Sequence, residues 1–90
     1  MNQKNVLTQL QLSIRECFST ELKRDVTAIG DGESLLEAGA IDSLAVLQLV
    51  ALIERWHGIR VLDEDLMPEN FDTIEGIAMF VARKRDAHRA

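Results

Sequence analysis

Residues 43–57 read SLAVLQLVALIERWH, and they carry the strongest helix pattern in this 90-residue chain. The stretch contains neither Pro nor Gly, and Gly58 follows it directly, as is typical where a helix ends in a left-handed cap. With about 100° of rotation per residue, one face collects the side chains that we expect to reach the core: Val46, Leu49, Val50 and Ile53. The sequence therefore predicts a helix over 43–57, with Asp42 or Ser43 as its N-cap.

The same helix carries a second apolar stripe on its other side. Leu44, Leu47 and Ala51 fall at roughly 100°, 40° and 80° when Ser43 is set to zero. A chain this short has too few elements to cover a helix on both sides, and exposed apolar patches rimmed by charge mark interaction sites. We favour a docking surface over the alternative, in which Leu35 and Leu36 fold across the stripe.

Helical spacing of apolar residues extends through the rest of the chain, and strand alternation is nearly absent. We predict one all-α domain, a four-helix bundle with three longer helices, one short third helix and a long loop between helices 1 and 2. Pro68 is expected to end the short helix, and Asp72 with Glu75 has the spacing of a capping box. The predicted limits are helix 1 at about 5–22, loop 23–41, helix 2 at 43–57, helix 3 at about 63–67, helix 4 at about 73–85 and a basic tail at 86–90.

The formal net charge of −5 hides a strongly acidic middle. Residues 25–75 hold twelve acidic side chains against Arg55 and Arg60, which gives that part of the chain a net charge of −10. Nucleic-acid binding is disfavoured, because its affinity comes largely from cations that neutralise phosphates. We expect a basic protein surface as the partner, and we interpret the basic run at 83–89 as a helix C-terminus.

Other classes of site find little support in the sequence. No run approaches the ~20 apolar residues of a membrane span, so we expect no membrane association and a cytoplasmic location. Cys17 is the single cysteine; it falls on an apolar helical stripe, which favours a small core residue over a nucleophile. The two histidines are separated by thirty residues and, with one cysteine, lack the ligand clustering of a zinc site, so we expect no metal.

Ser43 is the one residue at which the sequence places distinctive chemistry. It follows a loop that contains Gly39, stands next to Asp42 and begins a helix, where a phosphate ester is favoured by the helix dipole and free N–H groups. The plainer interpretation is that Ser43 only caps the helix. A hydrolase is disfavoured because Gly-x-Ser-x-Gly is missing and His57 would lie ~20 Å away along the helix.

Three segments together resemble the acyl carrier protein family: SLLEAGAIDSL at 34–44, VLQLVALIE at 46–54 and DEDLMPENFDTI at 63–74. The resemblance covers residues 34–83, while the first helix agrees in pattern only. Asp-Ser-Leu by itself is a weak signal, but it is strong after a Gly-containing loop and before an apolar helix in a chain of this length.

That resemblance implies a non-catalytic carrier. Ser43 would receive a 4′-phosphopantetheine arm from coenzyme A through a magnesium-dependent phosphopantetheinyl transferase, and the arm would carry acyl or aminoacyl groups as thioesters. The implied partners are the transferase, an acyl- or aminoacyl-loading ligase, and downstream synthase, condensing or tailoring enzymes, with the carrier itself a monomer. The residues implied in docking are Asp42, Leu44, Leu47, Gln48 and Ala51.

Two departures separate the chain from the fatty-acid type of carrier. Ala40 and Ile41 stand between Gly39 and Asp42, and the second helix offers only Glu54 as an acid. The chain is more similar to discrete carriers for amino acids, D-alanine or secondary-metabolite acyl groups. Of fatty-acid, polyketide and nonribosomal-peptide type biosynthesis, we therefore favour a specialised pathway over fatty-acid synthesis. The rival interpretation is an acidic helical adaptor that docks through the same stripe without a prosthetic group.

Overall fold

The computed structural model describes the backbone of residues 3–89 and the side chains of residues 5–87. Over residues 3–89 the chain forms four α-helices and no strand: α1 (Gln3–Thr20), α2 (Ser43–His57), α3 (Pro68–Phe71) and α4 (Ile74–Arg89). The predicted all-α bundle, with three longer helices, one short third helix and a long loop between α1 and α2, is confirmed. Helix α4 continues through residues 86–89, where we predict a basic tail.

The core lies where α1 packs along α4, which is the most extensive helix contact in the fold. Helix α2 adds Ala45, Leu49 and Ile53 to this core. Complete burial of a Leu, Ile or Phe side chain stabilises the fold by about 1.5–3 kcal/mol relative to exposure. The core residues of α1 and α2 therefore anchor the two ends of the long loop. The buried side chains of α1 and α4 are Leu10, Ile14, Cys17, Phe18, Ile74, Ile77, Ala78, Phe80 and Val81.

The prediction of a short helix at 63–67 that ends at Pro68 is wrong. Residues Asp63–Asp65 form a single 3₁₀ turn, and Pro68 begins α3 instead of ending a helix. Pro is favoured at the first helical position because the N–H it lacks has no intrahelical partner there. Met67 before it is extended, as a residue preceding Pro prefers to be (φ −104°, ψ 139°).

Arg15 holds the first half of the long loop against α1. Its guanidinium donates to the carbonyl of Val26 at 2.8 Å, to the carbonyl of Ile29 at 2.7 Å and to Asp31 Oδ1 at 2.7 Å. The Asp31 carbonyl in turn accepts from the Glu75 backbone N–H at 2.8 Å, at the start of α4. Arg15 thus ties the loop to α1, and Asp31 ties the loop to α4.

Asp72 holds the second half of the loop, in place of the capping role that we predict for it. Its Oδ1 accepts from Ser34 Oγ at 2.9 Å and from the Leu36 N–H at 3.2 Å, while its carbonyl accepts from the Leu35 N–H at 2.7 Å. Thr73 caps α4 instead, since its Oγ1 accepts from the Gly76 N–H at 2.8 Å. Leu35 is fully buried, whereas Leu36 is exposed and does not join the core.

Candidate functional site

The first turn of α2 is fixed by residues 41 and 42. Ile41 is buried in the core, and Asp42 leaves it in an extended conformation (φ −134°, ψ −176°). Asp42 Oδ1 accepts from the Ala45 N–H at 2.8 Å, and the Asp42 carbonyl accepts from the Val46 N–H at 2.9 Å. Asp42 is therefore the N-cap of α2, and it satisfies a backbone donor that the helix cannot.

Ser43 consequently has no structural task for its hydroxyl. It is the first residue of α2, it is exposed, and its Oγ forms no hydrogen bond with any residue that the structure describes. The free N–H groups and the dipole of the helix start surround this position with positive potential. The hydroxyl is thus accessible to a partner enzyme, and the site favours an anionic ester.

An apolar groove of about 370 Å³ opens beside Ser43. Sequence reasoning missed its far wall, since that wall comes from the segment around Pro68 that the prediction placed wrongly. The near wall is formed by the end of the long loop and the start of α2. The groove is lined by Leu36, Ile41, Asp42, Ser43, Val46, Leu66, Met67, Pro68, Phe71 and Asp72.

The second stripe of α2 lies on the same helix as Ser43 and Val46, which line this groove. Leu44 is 66% exposed and Leu47 61% exposed, and Gln48 and Ala51 are exposed on the same helix. Neither Leu35 nor Leu36 covers the stripe: Leu35 is fully buried in the core, and Leu36 lines the groove. All five residues expected to dock partners therefore lie within residues 42–51, and their docking role stays a prediction.

Of the two histidines, the one whose side chain the structure describes does not lie at Ser43. His57 lies at the opposite end of α2, where its Nε2 is 3.2 Å from Ser13 Oγ. Burial, with a smaller contribution from Arg85, lowers the pKa of His57. The side chain of His88, the other histidine, lies outside the described residues.

No group of three or more His, Cys, Asp or Glu side chains in the described part of the chain is arranged to hold a metal ion. None of the described helices combines the length and the apolar character that crossing a bilayer requires.

A comparison with protein families decides between the remaining interpretations of this geometry. Residues 13–81 match the family model described as the phosphopantetheine attachment site. The chain belongs to this family of phosphopantetheine carrier proteins. No curated protein matches the sequence. The prosthetic group of this carrier is 4′-phosphopantetheine, which the family holds covalently on a serine.

The family assignment favours a carrier over an adaptor that lacks a prosthetic group. Carriers of this family are generally non-catalytic, and they act with a phosphopantetheinyl transferase and with biosynthetic enzymes. The described residues of this carrier fit the group, because Ser43 offers a free, exposed hydroxyl while Asp42 performs the capping. Attachment of the group at Ser43 would therefore leave the cap of α2 in place.

Cys17 is expected to be inert, so that the arm supplies the reactive thiol of the carrier. Burial raises the pKa of Cys17 to about 11, and the nearby carboxylate of Glu21 adds to the shift. At pH 8 only about one molecule in a thousand would carry the thiolate that reacts. Native protein without the arm should therefore show no fast reaction with a thiol-specific disulfide reagent, and protein with the arm should show one reactive thiol.

Two controls test whether the number of reactive thiols reports the burial of Cys17. Denaturing the protein without the arm should release one reactive thiol, since Cys17 is then exposed. A Ser19→Cys variant places a thiol on the exposed side of α1 and should react at once in the native state. Rapid labelling of Cys17 in native wild-type protein would contradict this expectation.

Proposed function

We propose that this carrier bears its 4′-phosphopantetheine arm on Ser43 and transports acyl or aminoacyl intermediates for a specialised biosynthetic pathway. The observation that supports Ser43 is the division of tasks at the start of α2: Asp42 supplies the cap, and the Ser43 hydroxyl stays free and exposed. In the attachment step Ser43 Oγ bonds to the phosphorus that carries the pantetheine, the P–O bond of the coenzyme A diphosphate breaks, adenosine 3′,5′-bisphosphate leaves with the bridging oxygen, and the hydroxyl proton goes to a base of the transferase.

When bound, the group supplies a terminal thiol on which acyl groups travel as thioesters. The chain contributes Ser43 as the attachment point of the arm, a groove beside Ser43 and a surface by which enzymes recognise the carrier. We propose a loading ligase and downstream synthase, condensing or tailoring enzymes as partners, and a cytoplasmic, monomeric carrier without catalysis of its own. The separation of Gly39 from Asp42 by two residues supports a dedicated carrier over the fatty-acid type.

The proposal is tested by intact-mass analysis after incubation with coenzyme A, magnesium and a promiscuous phosphopantetheinyl transferase. We expect the wild-type protein to gain one phosphopantetheine mass, and peptide mapping to place it on Ser43. A wild-type protein that gains no mass would refute the carrier function, and a mass on another serine would refute the assignment of the site.

Leu47→Gln is expected to weaken docking without weakening the fold. Leu47 is 61% exposed, so the change should alter the free energy of unfolding by no more than about 0.5 kcal/mol. Burying a Leu side chain in a partner is worth about 1.5–3 kcal/mol, and losing most of that corresponds to roughly a tenfold rise in the transferase KM. Steady-state kinetics of arm transfer measures the change.

Leu12 provides a matched control for the docking surface. It is a leucine of almost equal exposure, 62%, on a different helix. Leu12→Gln should leave the transferase KM unchanged. Equal effects of the two substitutions would show that general surface hydrophobicity, and not the α2 stripe, governs recognition.

A further inference from the structure

Arg24 reaches the start of α2 from the loop that follows α1. Its backbone N–H donates to the Phe18 carbonyl at 2.8 Å, and Lys23 before it adopts a left-handed conformation (φ 57°) that turns the chain. The Arg24 guanidinium then lies with Nη2 3.9 Å from Asp42 Oδ2. A cation is thus held beside the residue that immediately precedes Ser43.

The donors of Arg24 are available to a further acceptor. Its contact with Asp42 is an ion pair longer than a hydrogen bond, and its side chain forms no hydrogen bond with the described residues. Arg15 shows the opposite case, since its guanidinium donates to two carbonyls and a carboxylate. With a side chain that is 37% exposed, Arg24 combines a fixed backbone with unused N–H groups.

Attachment of the arm changes the charge at this point of the molecule. The neutral hydroxyl of Ser43 becomes a phosphodiester anion, and the Asp42 carboxylate stands one residue away. Adjacent like charges repel, whereas guanidinium groups bind phosphate oxygens well because their N–H donors form a planar fork. Among the described ion pairs, Arg24 is the only cation that contacts Asp42.

We propose that Arg24 is a positioning residue for the arm, which pairs with the phosphodiester on Ser43 and offsets its repulsion by Asp42. The pairing fixes the attached end of the arm beside the loop that follows α1, while the rest of the arm stays free to reach partner enzymes. This inference rests on the proposed attachment of the arm to Ser43.

The test compares four proteins carrying the arm: wild type, Arg24→Gln, Arg24→Lys and Arg60→Gln. Arg60 is exposed and forms no described ion pair, so its substitution removes the same charge away from the site. Intact mass first establishes that each protein carries the arm. The readout is then the ³¹P chemical shift of the phosphodiester between about 0.01 and 1 M NaCl, over which the Debye length falls from about 30 Å to about 3 Å.

We expect the wild-type and Arg60→Gln resonances to move together with salt. The Arg24→Gln resonance should start near the high-salt position and respond little, while Arg24→Lys should retain part of the response because it keeps the charge without the fork. A merely structural role for Arg24 would not alter the salt response of the phosphorus.

A second measurement is the difference in melting temperature between the forms with and without the arm. Arm attachment should lower the melting temperature of Arg24→Gln by about 1–4 °C more than that of wild type or Arg60→Gln. Identical salt responses in wild type and Arg24→Gln would overturn the inference. Should Arg24→Gln fail to fold, a salt-independent wild-type resonance would overturn it equally; a wild type that accepts no arm would instead refute the proposed function.

Discussion

The Ser43→Ala protein is expected to fold as well as the wild type and to accept no phosphopantetheine. The hydroxyl forms no hydrogen bond with the described part of the chain, and Asp42 keeps the cap of α2 through its bond to the Ala45 N–H. Alanine is the best helix former, so the free energy of unfolding should stay within about 0.5 kcal/mol of the wild-type value. Modification falls to zero because the acceptor oxygen is gone.

Intact mass measures whether Ser43→Ala accepts the arm, and thermal unfolding of the same sample measures whether the fold keeps its stability. Ser19→Ala is the matched control, since Ser19 is an exposed serine on α1 and its loss should leave arm addition complete. A modified Ser43→Ala protein would move the attachment site elsewhere. A Ser43→Ala protein that unfolds easily would show that the hydroxyl has a structural role.

Arg15→Met should cost about 2–4 kcal/mol of unfolding free energy. Methionine replaces the aliphatic part of the side chain but leaves the carbonyls of Val26 and Ile29 and the Asp31 carboxylate without their charged donor. Hydrogen bonds to charged groups contribute about 1.5–3 kcal/mol each, and partial exposure of this site allows water to recover some of the loss. The side chain is 25% exposed, which places the cost well above that of a surface ion pair.

Chemical denaturation of Arg15→Met and Arg15→Lys separates charge from geometry. Lysine keeps the charge but lacks the planar fork, so we expect it to recover less than half of the lost stability. Arg60→Met serves as the control for charge removal at an exposed position and should be near neutral. A lysine variant as stable as the wild type would contradict the role of the fork.

Helix α2 and the exposure of its second stripe could be predicted because they depend on local information. The 3.6-residue period fixes which side chains of residues 43–57 share a face, and Gly58 fixes the end of the helix. The exposed positions of Leu44 and Leu47 follow from the same spacing. The acyl carrier motif predicts the fold, and the family match confirms this prediction.

The far wall of the groove could not be predicted, since Pro68 is compatible with either end of a helix. The contacts of the long loop could not be predicted for another reason, because they join residues that are far apart in the sequence. Asp72 bonds to Ser34 across 38 positions, and Arg15 bonds to Asp31 across 16. Periodicity reports which face of a helix is apolar, but it contains no signal for which long polar side chain will reach a distant carbonyl.

The separation of cap and hydroxyl at the start of α2 has a consequence for enzymes that must tell an empty carrier from a loaded one. Because the Asp42 side chain and carbonyl cap the first turn, we expect a chemical change at Ser43 to leave the helix and the core behind it unchanged. On the proposed attachment, the scaffold would present the same stripe of Leu44, Leu47 and Ala51 with and without the arm. A partner enzyme would then distinguish the stages of the cycle by contacts with the arm and its load.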